Sequence, residues 1–534
     1  MTYEDQRALK EPLISEKEEH LDKDEGILSR RSLREANKQF VLKSLSSLRP
    51  AHLYRLGKRF AYALTPQLVR TYVWDEKAPK SKVFPTSYLN GLRGMASVKV
   101  FTFHYTHFYS DSTTAAWGVD EHHKYFLELP IIRYFYAGTT AHVFFGCAGY
   151  LTTLRLAQQM DKQDPVSRAK VLVNVSGALF RRALRLYLPT LIITFITTHF
   201  IYFGLYEQNR EYFGDKKLFP GPFYEPRPKQ YPTYYEQLHN WAHEMIKLSD
   251  IFQYGYRPEH DCHLWSILAE MQGSLLSYLI MIATAQCRHH IRLAVMCVML
   301  FMLFLWNRWD ICVYILGGIV GQVDAILIER DQQKKMTLSP ESPVVSTFAE
   351  SGKMATALSR FRATPHSVLS ISGYLVSFYL MSYPTWGYGS KAFGYQTLNK
   401  FIPPGMAMPE KFYPVIGTGL LLFMLARSDP KTSVWRRLLN TDLFAYLGKV
   451  SFALYLLHGP ILHGIGYMIP HYIWWSFGVQ GTEVGDIPWT VAIVTGWAIG
   501  LGMCLWAADV WSREVEGRCT KVVKKLEDFC FVKA

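Results

Sequence analysis

Charge is segregated along this 534-residue chain. Lys, Arg, Asp and Glu crowd into residues 1–85, about 207–262, about 329–362 and the tail from Arg513, and the stretches between them carry little charge. Uncharged apolar runs of about 17 to 25 residues match the hydrocarbon thickness of a bilayer, and only helices satisfy their own backbone there. The chain therefore reads as all-α and polytopic, with about ten transmembrane helices near 93–109, 134–154, 186–206, 264–285, 293–307, 311–328, 366–386, 412–427, 445–468 and 487–509. Residues 1–85 form a largely flexible N-terminal region with a short amphipathic piece near 38–65, residues 86–512 the transmembrane domain, and residues 513–534 a tail. The N-terminus has no apolar signal-peptide core, so insertion begins at an internal span.

Loop charge sets the orientation. With residues 1–85 cytosolic, "RAKVLVNVSGALFRRALR", "CRHHIR", 329–362, "RSDPKTSVWRR" and the tail fall on the same side, and all are rich in Lys and Arg. The opposite side receives 111–132, 207–262, 387–411 and 469–486, of which 207–262 holds about seven basic and nine acidic residues. This is the positive-inside pattern, with both termini cytosolic in an endomembrane or the plasma membrane. The net charge of +14 belongs to this flanking bias rather than to one basic stripe, which argues against nucleic acid as a partner. The eight cysteines lie mostly in or beside spans and suggest no disulfide framework.

Against that background a few polar residues stand out. In "GLRGMASVKVFTFH", Arg93 sits at the cytosolic mouth of the first span and His104, eleven residues on, lies roughly 16 Å deeper. Glu270, in "HLWSILAEMQGS", lies about 10 Å in from the outer face, and His458, in "YLGKVSFALYLLHGP", about 14 Å in from the cytosolic face. Three ionisable groups from three helices thus reach similar depth. Such groups are costly in a bilayer and face a polar interior, so this set is a candidate catalytic centre. "LFRRALRLYLP" places Arg182 and Arg185 one helical turn apart at the cytosolic face, a spacing that suits a phosphate-bearing ligand. The alternative for these arginines is topology-setting charge that snorkels to the interface.

Together these segments resemble the acyltransferase type 3 family of integral membrane O-acyltransferases, in its fungal-looking branch. "LNGLRGMASVKVFTFH" resembles the signature Arg followed by His, "FFGCAGYL" the second-span element, "RALR" the RxxR, "HLWSILAEMQGS" the LWSxxxE element and "YLGKVSFALYLLHGP" the ninth-span element, in order over residues 88–518. Ala148 stands where the family usually has Ser, and "EVEGRC" only weakly echoes the closing acidic-x-Pro element. The resemblance implies transfer of an acyl group, commonly acetyl, from cytosolic acyl-CoA to the hydroxyl of a lipophilic small-molecule or glycan acceptor. In that branch the acceptor would be a secondary-metabolite alcohol. It also implies that His104 acts as base or acyl carrier, that Arg93, Arg182 and Arg185 hold coenzyme A, and that Glu270 and His458 orient the acceptor or tune the base.

Other signals carry less. The HxxxD of His107 to Asp111 is short and sits at a span end, and the histidine pairs at 122–123 and 289–290 lack a second cluster at ligand spacing, so no metal is expected. Asn174 of "NVS" falls on the cytosolic side, where it stays unglycosylated. The aromatic stretch "FYEPRPKQYPTYYEQLHNW" is expected to pack over the outer face, with a possible share in acceptor binding. A proton-coupled transporter using His104, Glu270 and His458 as a relay is the rival reading, though it leaves the RxxR unexplained.

Overall fold

The computed structural model describes residues 50–76, 84–119, 126–137, 140–161, 165–207, 210–221, 225–337, 365–385, 387–478 and 481–532. Two units result. The first contains one described helix, α1 (Pro50–Leu64), which lies within the amphipathic stretch expected near 38–65; the rest of that stretch is outside the described residues.

The second unit, from Pro66 onward, is helical throughout its described core. After α2 (Gln67–Val73) come α3 (Ser87–Tyr109), α4 (Thr140–Met160), α5 (Pro165–Tyr202), α6 (Tyr234–Ser249), α7 (Trp265–Ala283), α8 (His289–Leu305) and α9 (Trp309–Thr337). Then follow α10 (Pro365–Met381), α11 (Phe412–Arg427), α12 (Asp442–Gly464), α13 (Ile469–Ser476), α14 (Asp486–Trp511) and α15 (Gly517–Cys530). Each of the ten apolar runs coincides with one of these helices. Helix α6 was not expected. It is capped at Thr233, whose side chain and Glu236 exchange hydrogen bonds in a capping box, and it sits within the long connection between α5 and α7.

Among the described residues four segments are long and apolar enough to cross a membrane by themselves: Lys170–Tyr202, Cys262–Ala283, Trp309–Gln333 and Asp486–Cys530. Helices α12 and α13, bent by 48°, add a fifth if taken as one broken span. The ten expected spans thus fall in helices of unequal character, of which four, or five with the bent pair, have the length and hydropathy to cross. Helix α3 carries Arg93, Lys99, His104 and His107 and lowers its own hydropathy, while α8 and the apolar part of α10 are short. Helices α8 and α14 nevertheless expose an apolar face: Ile291, Val295, Val298, Phe301 and Leu305 on the former, Ile487, Val491 and Val494 on the latter. At helical spacing on the outside of a packed bundle, such faces suit lipid rather than water.

Glycines bring the helices close. Helix α4 packs on α9 through Gly146 and Gly149 on one side and Gly317, Gly318 and Gly321 on the other, and a Cβ on Gly318 would sit 2.8 Å from the Thr153 hydroxyl. Helix α3 meets α12 in the same manner, where a Cβ on Gly94 would sit 2.7 Å from that of Leu447. This second contact places the faces of α3 and α12 that carry His104 and His458 against one another.

Candidate active site

Four elements deliver the side chains. The ring centroids of His104 from α3 and His458 from α12 are 5.3 Å apart, so these two sequence-predicted histidines do meet. Between them comes His263, one residue into the turn that leads to α7, with its ring 4.1 Å from that of His104 and 4.5 Å from that of His458. The fourth element is the irregular stretch that begins at Glu225, which is buried in the bundle at 5% exposure. Gly221, four residues before it, lies against the end of α3. Its N–H donates to the Phe108 carbonyl at the end of α3 (2.9 Å), and a Cβ there would lie 2.6 Å from the Phe108 carbonyl carbon. Arg227 fixes the other end by donating to the Tyr206 carbonyl (3.0 Å).

Glu225 is the hub. One carboxylate oxygen, Oε1, is 2.5 Å from His104 Nδ1 and 3.1 Å from His263 Nε2. The other, Oε2, is 3.0 Å from His463 Nε2 and accepts from the Tyr467 hydroxyl at 3.3 Å. His263 in turn directs Nδ1 to Asp261 Oδ1 at 2.6 Å, and the Asp261 carboxylate also accepts from the His263 backbone N–H. Burial pushes the Glu225 carboxyl up, but the facing His263 and His104 outweigh it and hold it well below the usual carboxylate range. Asp261 is likewise held low by His263 against the effect of burial.

These contacts assign protons. Against an ionised Glu225, His104 carries its proton on Nδ1 as donor, which leaves the Nε2 lone pair as its basic atom. His263, with a carboxylate at each nitrogen, is a donor on both. His458 donates Nδ1–H to the Tyr455 carbonyl at 2.6 Å, and its buried Nε2 has no hydrogen-bond partner. An orienting carboxylate behind a histidine whose other nitrogen faces a cavity is an arrangement that can remove a proton from a hydroxyl. Donor atoms of Glu225, His263 and His463 also lie within 4.8 Å of one another, close enough to hold a divalent cation, although a proton accounts for each of these contacts.

Two cavities meet beside this cluster. The smaller, of about 480 Å³, is lined by His104, Glu225, His263 and Ser266 and by aromatic walls from Phe103, Phe145, Trp265, Trp309 and Tyr455. The larger, of about 790 Å³, is lined by six cationic side chains, Arg93, Arg155, Arg181, Arg182, Arg185 and Lys449, against two carboxylates, Glu270 and Glu516. Arg93, Glu270 and Phe452 line both. Glu270 does not join the histidines: its Oε1 accepts from Arg182 Nη2 at 2.8 Å, and the pair stands where the cavities adjoin. Arg181 pairs with Glu527 of α15, whereas Arg185 lines the larger cavity with no ion-pair partner among the described residues. Ala148, the departure from the family Ser, also lines the larger cavity.

Sequence reasoning thus located His104, His458 and the arginine cluster, and missed Glu225, Asp261, His263 and His463. The available signal for Glu225 was an acid between apolar and proline residues in "FYEPRP"; for His263 it was a histidine opening an apolar run.

Comparison with known proteins gives this geometry a family. The acyltransferase domain family matches residues 86–507. The O-acetyltransferase PaAT-1 of Phomopsis amygdali is 24% identical over 410 residues, 72% of this chain and 73% of its own. The acyltransferase R4 of Phoma sp. (strain ATCC 20986 / MF5453) is 25% identical over 83% of this chain and 95% of its own. For the acyltransferase clz18 of Cochliobolus lunatus the identity is 21% over 84% and 97%. No solved structure matches significantly. With its apolar helices and a family match that takes in both cavities almost entirely, the chain belongs to the type 3 family of membrane-embedded acyltransferases.

Proposed function

We propose that this chain moves an acyl group, acetyl in the first instance, from acyl-CoA in the larger cavity to a hydroxyl in the smaller one. One observation carries the reading: the two cavities adjoin at Arg93, Glu270 and Phe452, one of them ringed by cations and the other holding His104. A donor with several phosphates matches the first, and an apolar alcohol matches the aromatic walls of the second. The relative named an O-acetyltransferase supports a small acyl group, and the aromatic walls of the smaller cavity support a lipophilic alcohol, of the secondary-metabolite kind, over a glycan.

In this reading His104 Nε2 takes the acceptor's O–H proton as the oxygen attacks the thioester carbonyl. The new C–O bond forms, the C–S bond breaks, and the proton passes from His104 to the departing thiolate to give free coenzyme A. Glu225 holds His104 in the required tautomer, and Arg93 at the shared wall faces the carbonyl oxygen as it gains charge. Arg185 and its cationic neighbours bind phosphate, while Arg182 does so at the cost of its bond to Glu270. Ten helices cross the bilayer with both termini cytosolic, so the donor arrives from the cytosol.

Labelled acetyl transfer from acetyl-CoA in membranes bearing the full chain, with lipid extract as acceptor, tests this. His104→Ala should insert normally and lose about 10²–10⁴-fold or more in turnover. Near-normal turnover by a folded His104→Ala protein would overturn the role, and wild-type membranes without any transfer or acyl-CoA binding would favour a proton-coupled transporter.

A further inference from the structure

Glu516 is a carboxylate in a cavity made for anions. It lies in a single π-helical turn, Ser512–Glu516, between α14 and α15, and lines the larger cavity. Several charged residues around it are paired: Arg513 with Asp509 and Glu514, Arg518 with Glu514, and Arg181 with Glu527. Glu516 forms no ion pair among the described residues. Its Oε1 is buried and accepts no hydrogen bond, although Arg93 and Arg185 lie near enough to act on its charge. A buried carboxylate oxygen left without a donor is costly, and single π-helical turns are frequent at functional sites.

We propose that Glu516 is a donor-specificity residue that accepts a hydrogen bond from an amide N–H in the pantetheine arm of the acyl donor. The proposal rests on the acyl-CoA reading above and sharpens it. A carboxylate repels phosphate, so what it meets must present N–H or O–H. Its electrostatic neighbours are Arg93, on the wall shared by both cavities, and Arg185, among the cations assigned to phosphate, which sets Glu516 between the thioester end and the phosphate end of the donor. Between thioester and pyrophosphate, coenzyme A carries two amide N–H groups. The cations then fix the nucleotide and Glu516 fixes the arm, so that the thioester is set against the shared wall before the acceptor arrives.

Binding to the full chain in detergent decides the matter, with coenzyme A and 3′,5′-ADP, which lacks the arm, as probes. Glu516→Ala should weaken coenzyme A binding about 10-fold, the scale of one charge-assisted hydrogen bond, and leave 3′,5′-ADP binding unchanged. Glu516→Gln, which keeps an acceptor oxygen, should recover part of the loss. Unchanged or tighter coenzyme A binding by both variants, or an equal loss for both probes, would overturn the proposal. Wild-type protein that binds neither probe would overturn the donor assignment itself and this inference with it, an outcome distinct from a defect confined to Glu516 variants.

Discussion

At the scale of single residues the site depends on one carboxylate. Glu225 accepts from His104, His263, His463 and Tyr467, so replacing it by Gln puts an NH₂ among donors and removes the acceptor that keeps the His104 proton on Nδ1. Glu225→Gln is expected to lower kcat by about 10²-fold or more with little change in the KM for acyl-CoA, because Glu225 does not line the donor cavity. The pH dependence follows from the sign of its shift. A carboxyl held well below its ordinary value contributes stability that is present above about pH 4.3 and lost only as pH falls through the lower folded value. Glu225 therefore stays ionised from about pH 5 upward, and any acid limb of activity in that range belongs to histidine. Taking negative charge away from beside an imidazole makes it harder to protonate, so the residual activity of Glu225→Gln should show its acid limb at lower pH. A limb that stays in place would mean that the two groups are not coupled. His104 and His458 were legible in the sequence because an ionisable residue in an apolar run stands out and its depth follows from helix rise. Glu225 was not, because a segment rich in Pro and Tyr has no period from which depth can be counted.

At the scale of elements the fold was legible where apolar runs are long and illegible where the chain turns. All ten runs became helices, yet α5 begins at Pro165, well before the expected start near 186, because basic residues at a membrane face continue a helix without interrupting it. The glycine contacts between α4 and α9 could not be paired from one sequence, since any two of several glycine-bearing helices could have met. The same limit hid the placement of Gly221 against α3 and of Glu225 in the bundle. That segment makes a prediction of its own. Gly221→Ala would force its methyl group against the carbonyls of His107 and Phe108, and either the end of α3 or the segment carrying Glu225 must move. Overpacking of this sort costs about 1–3 kcal/mol. The expected result is a lower Tm in detergent and a loss of turnover of 10-fold or more from a displacement of about an ångström at Glu225, with coenzyme A affinity retained. An Ala variant with full turnover would show that Glu225 reaches His104 by a route independent of Gly221.

At the scale of the whole molecule, the two cavities are lined from opposite ends of the helices. The larger takes Arg155 and Gln159 from the end of α4, Asn174 to Arg185 from the first half of α5, Lys449 from the start of α12, and Glu516 to Thr520 beyond α14. The smaller takes His107 from the end of α3, Thr113 and Thr114 after it, Tyr254 and Arg257 before α7, and Met408 to Lys411 before α11. In the proposed order of ten spans, which excludes α6, α13 and α15 as separate crossings, the spanning helices alternate in direction, so the first set would share one face and the second set the other. The first face is also the one whose connections are rich in Lys and Arg, so the proposal makes it the cytosolic face by the positive-inside rule. A phosphate-bearing donor cannot cross the hydrocarbon core unaided, so the proposed donor cavity has to open on the face where the donor is made. Reporters placed after Ala534 and near Thr347, both outside the described residues, should therefore read cytosolic, and one near Gln230 lumenal or extracellular. Sealed vesicles with the cytosolic face outward should consume added acetyl-CoA without permeabilisation, and vesicles of inverted orientation should need it. A cytosolic signal at Gln230 would invert the bundle, set the cationic cavity away from the donor, and overturn the assignment of both cavities at once.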